Sequence, residues 1–264
     1  MLNNTVLIAL VFVLITSSLL LITQRHKGSR LVLNGESITK NKEPTIIIAG
    51  PSNSGKTAFY TFLTSGKLTN TVTSQKTSVA HDFKLSKANT FRLMEFPGHN
   101  KLRKQLIDTL ESSNNIKGLL FMVDSTTDPK DLTEVAEFLF QILQVTERQP
   151  DGCDILLACN KCESFTSRPP AKIKDALEKE MDKIIARKRK SLDSVQNTLN
   201  GSLKKTDDAD NEDDQEEKSA LLDIQVAGGF KFSSLEGNVD ALEGSVTKNN
   251  VDKWECWIEE RLIN

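Results

Sequence analysis

Eight consecutive residues, Gly50-Pro51-Ser52-Asn53-Ser54-Gly55-Lys56-Thr57, match the pattern Gly-x-x-x-x-Gly-Lys-[Ser/Thr] at every fixed position. The chemistry this spacing serves is the holding of a polyphosphate. Gly50 and Gly55 let the backbone come close to phosphate oxygens, and Lys56 reaches the β- and γ-phosphates. The loop N–H groups and the start of the next helix, which continues through Ala58, take up negative charge, and the Thr57 hydroxyl ligates Mg²⁺. A Gly/Ser turn that merely contains a lysine would carry the same letters, so context decides. Thr45-Ile46-Ile47-Ile48-Ala49 before the loop is a short β-branched apolar run suited to a buried parallel strand, and Thr57-Ala58-Phe59-Tyr60-Thr61-Phe62-Leu63 after it can start a helix.

Further groups stand where they could act on the same ligand. Residues 90–96 read as a strand that ends in Glu95 and runs into Pro97-Gly98-His99. A nucleotide switch uses an acid at a strand end, then a glycine whose N–H bonds the γ-phosphate, then a residue that positions water. On that pattern Glu95 and Gly98 are switch residues and His99 is the catalytic candidate, although an ordinary exposed histidine fits the same letters. Glu95 is one methylene longer than the usual Asp, which rearranges or weakens its water-mediated contact with Mg²⁺. Upstream, Thr71-Val72-Thr73-Ser74-Gln75 lies in a hydroxyl-rich loop from which Thr73 or Ser74 could complete the Mg²⁺ shell. Asn160-Lys161-Cys162-Glu163 follows a buried-strand pattern at 154–159 and fits the guanine signature Asn-Lys-x-Asp, its acid again lengthened. A carboxylate at Glu163 accepts from the N1 and N2 hydrogens of guanine, which adenine lacks, while Asn160 and Lys161 brace the base and the phosphate loop. A last strand built from residues 221–226 and 230–235 is expected to end in a turn at Ser233, Ser234 and Leu235, where Ser234 offers a backbone N–H to the guanine oxygen.

The elements that must position these groups follow from periodicity. Strand patterns at 79–85 and 90–96, with Ser86-Lys87-Ala88-Asn89 between them, suit a hairpin. Residues 100–111 suit a polar helix, 118–124 a buried strand and 132–145 a strongly amphipathic helix. A long charged helix is expected over 171–192, with Ile173, Leu177, Met181, Ile184 and Ile185 on one face. Its Arg187-Lys188-Arg189-Lys190 run reads as a solvated helix end in preference to a lipid or RNA contact. Trp254-Glu255-Cys256-Trp257-Ile258 belongs to a closing helix with core tryptophans. The expected fold is a three-layer α/β domain of the P-loop GTPase type, with a mostly parallel sheet, one antiparallel edge hairpin and the ligand at the strand carboxyl ends.

The 264 residues carry a net charge of −2, with a pI near 6.0, so no extended nucleic-acid footprint and no direct nucleic-acid partner is expected. Residues 5–23 hold no charge, and nineteen helical residues reach about 28 Å, enough for one membrane span. A signal peptide is the rival, but no basic residue precedes the run and no small-x-small cleavage site follows it. Arg25, Lys27 and Arg30 flank one side only, which directs the rest of the chain to the cytosol. The domains expected are a transmembrane anchor at 1–24, a tether at 25–43 and a globular domain at 44–264. Within the last, residues 196–219 are an acidic insertion too poor in apolar side chains to fold. Cys153, Cys159, Cys162 and Cys256 are expected to stay reduced, and Cys159 and Cys162 lack a second pair at metal spacing.

Phosphate loop, Phe-Pro-Gly-His, Asn-Lys-x-Glu and the late Ser-Ser turn occur in the order and approximate spacing of the Ras/Arf superfamily, over residues 44–264. More narrowly, Thr71 to Gln75, Ala158-Cys159-Asn160-Lys161, the run 165–178 and Ser233-Ser234-Leu235-Glu236-Gly237 resemble the fungal-type beta subunits of the signal recognition particle receptor. The motifs point to GTP or GDP with Mg²⁺ as ligands and to a switch with slow hydrolysis, and the resemblance implies an endoplasmic reticulum membrane address. It also implies a partner, the receptor alpha subunit, bound through its N-terminal domain. An anchored Arf-like trafficking GTPase with other effectors and a P-loop ATPase or kinase are the alternatives. A kinase would need acceptor-binding residues and a basic lid, and neither is seen.

Overall fold

The isoleucine run Ile46-Ile47-Ile48 is wholly buried in strand β1, Thr45–Ala49. Successive side chains of a strand point to opposite faces, so complete burial means that both faces are covered. In the computed structural model, which describes residues 43–85, 89–113, 115–128, 130–149, 152–201 and 229–263, the two faces belong to two apolar clusters. Ile47 and Ala49 pack with Phe121, Phe138 and Leu177, while Ile46 and Ile48 pack with Phe59, Trp254 and Trp257. Burying each such side chain contributes roughly 1.5–3 kcal/mol, which makes the strand the centre of the fold.

Among the described residues six strands form one sheet, in the order β2-β3-β1-β4-β5-β6. Strands β3 (Phe91–Glu95), β4 (Ile116–Asp124), β5 (Ile155–Asn160) and β6 (Val239–Glu243) run parallel to β1 through the sheet. Only β2, Ser78–Phe83, is antiparallel, paired to β3 at the edge, as the hairpin pattern predicts. Helices α2 (Arg103–Ser112), α3 (Leu132–Thr146) and α4 (Pro170–Gly201) supply one apolar face, and α1 (Lys56–Ser65) and α5 (Asp252–Ile263) the other. This is the expected mostly parallel α/β sheet with one antiparallel hairpin.

The expected helical stripe on α4 is present, since Ile173, Leu177, Met181, Ile184 and Ile185 are all buried. Three residues of its basic run, Arg187, Lys188 and Lys190, are exposed, as expected of a solvated stretch. Arg187 pairs with Glu137 of α3, and Lys188 lies 4.5 Å over the Phe140 ring. The helix also continues to Gly201, so residues 196–201 of the expected insertion are helical.

One strand is not where the pattern put it. Residues 230–235 form no strand, and Phe232–Ser234 is a 3₁₀ turn. The buried Glu178 carboxylate accepts from Phe232 N at 3.1 Å and from Lys231 Nζ at 2.7 Å, which docks this turn against α4. The last strand is β6, five residues further on. The expected membrane span, the tether up to residue 42, the turn at 86–88 and the remainder of the acidic segment with the run 221–226 lie outside the described residues. Among the described residues no helix is long and apolar enough to cross a membrane.

Candidate functional site

Because β1, β3, β4, β5 and β6 are parallel, their carboxyl ends converge on one edge of the sheet, where a doubly covered α/β sheet leaves a crevice. The loop after β1 lies there. Gly50 has φ +137°, and a Cβ on it would stand 2.3 Å from the Met122 carbonyl oxygen, so only glycine fits against β4. Asn53 is left-handed at φ 64°, and the Ser54 hydroxyl donates back to the Pro51 carbonyl at 2.9 Å. Lys56 opens α1 and is buried, with Nζ donating to the same Pro51 carbonyl at 2.7 Å. Burial pushes this ammonium down to about 8 against the opposing pull of Glu95. A buried cation without a full counter-charge beside a cavity of about 100 Å³ is an anion-binding arrangement. The cavity is lined by Asn53, Gly55, Lys56, Thr57, Ala58, residues 71–74, Glu95, Pro97 and Gly98.

Four oxygens from three separate segments meet at its floor. Thr57 Oγ1 lies 2.7 Å from Ser74 Oγ and donates to Glu95 Oε1 at 3.0 Å, while Ser74 Oγ donates to Glu95 Oε2 at 3.1 Å. Of the two candidate hydroxyls it is Ser74 that joins the cluster; Thr73 is exposed and lines the cavity. Gly98 crosses the mouth of the phosphate loop so closely that a Cβ would stand 2.5 Å from Gly50 O, Pro51 C and Ser52 N. Ser52 itself is exposed. His99 is exposed too, and its Nδ1 accepts from Lys101 N at 3.3 Å, capping the 3₁₀ turn Asn100–Leu102. Behind the turn stands a residue the motifs do not include. Buried Arg103 donates through Nη2 to Glu134 of α3 at 2.9 Å, and its guanidinium lies 4.2 Å over the Phe138 ring.

At the end of β5, Asn160 ties the edge together. Its Nδ2 donates to Ser54 O at 2.9 Å, and its Oδ1 accepts from Val246 N at 3.1 Å. Lys161, left-handed at φ 64°, reaches Asp124 Oδ2 at the end of β4. Burial alone would raise the Asp124 carboxyl, but hydrogen bonds from Lys161 and Thr126 outweigh it and hold the group below its ordinary value. Glu163 accepts from Thr247 Oγ1 at 2.5 Å. Burial again opposes, and the hydroxyls of Ser245 and Thr247 prevail to hold Glu163 in its ionised form, below the usual range.

The segment facing Glu163 is therefore 244–248, after β6, and not Ser233-Ser234-Leu235. These three precede β6, at the opposite edge of the sheet, where neighbouring Glu236 and Asn238 bond Glu147 and Asp154. Ser245, Val246 and Thr247 are functional candidates that the sequence reading missed, together with Asp124 and Arg103. The Gly244-Ser245 turn carries the signal for the first three, hidden because the short strand before it is weak.

A family model for the signal recognition particle receptor beta subunit matches residues 41–239. The signal recognition particle receptor subunit beta of Saccharomyces cerevisiae is 45% identical over 265 residues, covering 99% of this chain and 100% of that protein. Among solved structures, the mammalian SRP receptor matches with a TM-score of 0.62 and 26% identity, over 82% of this chain and 99% of that one. The signal recognition particle receptor SRb-GTP/SRX complex from Chaetomium thermophilum matches with a TM-score of 0.62 and 22% identity, over 83% and 99%. With its family model matched over most of its length and a relative 45% identical from end to end, the chain belongs to the signal recognition particle receptor beta subunit family.

Proposed function

We propose that this chain is a membrane-anchored guanine-nucleotide switch that recruits a receptor alpha subunit, through its N-terminal domain, to the endoplasmic reticulum for cotranslational targeting. One observation carries the switch: Thr57 of the phosphate loop, Ser74 of the first switch segment and Glu95 of the second meet within hydrogen-bond distance. Hard oxygen donors so gathered suit Mg²⁺, which bound there would neutralise phosphate charge. Thr57, Ser74 and Glu95 would hold it, while Lys56 and the loop N–H groups would hold the phosphates. Loss of the γ-phosphate would then release Ser74 and Gly98 together, which is what a state-selective partner senses.

Guanine selectivity rests on the Glu163 carboxylate, kept ionised and aimed by Ser245 and Thr247. His99, whose Nδ1 accepts from Lys101 N, is left with Nε2 free to meet a water, which supports its reading as the water-positioning residue. The uncharged stretch 5–23 with its one-sided basic flank supports the anchor, and the Chaetomium thermophilum neighbour, a GTP/SRX complex, supports the ligand and the existence of a partner.

The test is to immobilise the alpha-subunit N-terminal domain and titrate the full chain in detergent, loaded with a non-hydrolysable GTP analogue, with GDP or with nothing. The analogue-loaded form should bind most tightly, typically by 1–3 kcal/mol of coupling. Equal affinity of all three forms would reduce the nucleotide to a structural role, and displacement of labelled GTP by ATP as readily as by GTP would remove the guanine reading. Protease added to sealed microsomes should digest the globular domain and spare a small membrane fragment.

A further inference from the structure

The segment that carries Gly98 past the mouth of the phosphate loop is fixed at both ends. At the first, Phe96 N donates to Ile48 O of β1 at 3.0 Å. At the second stands Arg103, the buried first residue of α2, whose guanidinium makes three contacts. Nη2 donates to Glu134 Oε1 at 2.9 Å and the planar group lies 4.2 Å over the Phe138 ring, both on one face of α3, while Nε donates to Gly98 O at 3.4 Å. Between the two ends the turn is closed on itself: Leu102 N donates to His99 O at 2.8 Å and Lys101 N to His99 Nδ1 at 3.3 Å. A glycine has no side chain by which to be held. What keeps Gly98 against Gly50, Pro51 and Ser52 is therefore the grip on its carbonyl and on the turn that follows it.

We propose that Arg103 is a positioning residue for nucleotide discrimination: anchored on α3 by Glu134 and Phe138, it holds Gly98 at the phosphate loop and so favours a nucleoside triphosphate over the diphosphate. The inference rests on the guanine-nucleotide switch proposed above and adds a residue that none of its motifs contains. A grip on Gly98 stabilises only a ligand that reaches Gly98. A diphosphate ends among Lys56 and the loop N–H groups, so it gains nothing from the grip, and the difference appears as selectivity. The contacts also say where the grip yields. The charged pair at 2.9 Å and the ring contact keep Arg103 on α3, and the longer contact to Gly98 O is the one that parts when the turn moves. Arg103 lies within electrostatic reach of the phosphate site as well. Burial, against the pull of Glu95 and with the push of Arg103, brings the Lys56 ammonium down to about 8.

The experiment measures the affinity of the full chain in detergent for a non-hydrolysable GTP analogue and for GDP, by competition against one labelled nucleotide, in the parent, Arg103→Lys and Glu134→Gln. Lysine keeps the positive charge near the cavity and loses the planar fork that spans Gly98 O, Glu134 and Phe138. Arg103→Lys should therefore weaken analogue binding about tenfold while GDP binding stays within about twofold of the parent. Glu134→Gln loosens the anchor on α3 and should lower the same ratio about threefold. An equal loss for both nucleotides would mean that Arg103 merely supports the fold, and an unchanged ratio would mean that its charge alone acts; either result overturns the proposal. If Arg103→Lys does not fold, Glu134→Gln decides, because its side chain is mostly exposed and its replacement leaves no buried group unpaired other than Arg103. A parent chain that binds neither nucleotide refutes the switch reading and the proposal with it, while a parent that binds both and variants that keep its ratio refute the proposal alone.

Discussion

Gly98 and Thr247 show how single residues set the behaviour of the pocket. A methyl on Gly98 would stand 2.5 Å from three backbone atoms of the phosphate loop, none of which can turn aside. Gly98→Ala should keep the fold, by circular dichroism, yet lose GTP-analogue affinity by tenfold or more relative to GDP, since overpacking costs about 1–3 kcal/mol and falls on the switch. Thr247→Ala removes a hydroxyl that aims Glu163, and hydrogen bonds to charged groups are worth about 1.5–3 kcal/mol, so GTP-over-ATP preference should fall about tenfold or more in competition binding. Ser234→Ala should leave that preference unchanged, because Ser234 bonds Lys231 O at the other edge of the sheet. Asp124 contributes to the acid limb of stability. Its folded value is depressed, so its contribution is present above its unfolded value near ~3.9 and disappears as pH falls through the lower folded one. Asp124→Asn should flatten that limb in urea titrations at pH 2–6. Gly98 was legible because phosphate chemistry demands particular residue types at particular spacings, whereas Thr247 and Asp124 lie in no such pattern and were not. Two Ser-bearing turns late in the chain satisfied the demand of guanine chemistry, and only the sheet decides between Ser234 and Ser245.

Among the elements, long ones with a strong period were the readable ones: α3 and α4 bury the side chains their 3.6-residue stripes mark. β6 was not readable, since Val239-Asp240-Ala241-Leu242-Glu243 is a five-residue edge strand with little apolar signal, while Phe230-Lys231-Phe232 alternates like a strand and is held in a turn by Glu178. Tertiary contacts overrode local preference there. Two contacts between elements can be measured. Trp254 of α5 is fully buried, edge-on to Phe59 of α1 at 5.3 Å, so Trp254→Ala should cost about 3–5 kcal/mol in denaturant unfolding. Arg103 joins α2 to α3 and sits behind the Gly98 turn. Arg103→Met keeps the bulk over Phe138 and leaves the mostly exposed Glu134 able to hydrate, so the loss should be about 1–3 kcal/mol. Faster amide exchange should be confined to residues 97–102.

At the scale of the whole molecule, the described segments that flank the acidic stretch are tied to each other. Glu178 and Asp182 of α4 accept from the backbone N–H groups of Phe232 and Phe230, so the chain is fastened where it rejoins the core. Deleting residues 204–218 should leave nucleotide affinity and melting temperature nearly unchanged, since the flanking segments are held together without them and halving the length of a connection alters closure entropy by only about 0.6 kcal/mol. A large fall in melting temperature would show that the segment packs. Asn160, described above as a brace, also sets an order of manufacture. It joins Ser54, 106 residues before it, to Val246, 86 residues after it. A ribosome making this chain from its amino end completes the phosphate loop early, but the guanine-facing wall does not exist until Val246 and Thr247 have been added. Any nucleotide grip that needs both walls must therefore wait until Thr247 has been added, long after the phosphate loop has left the ribosome.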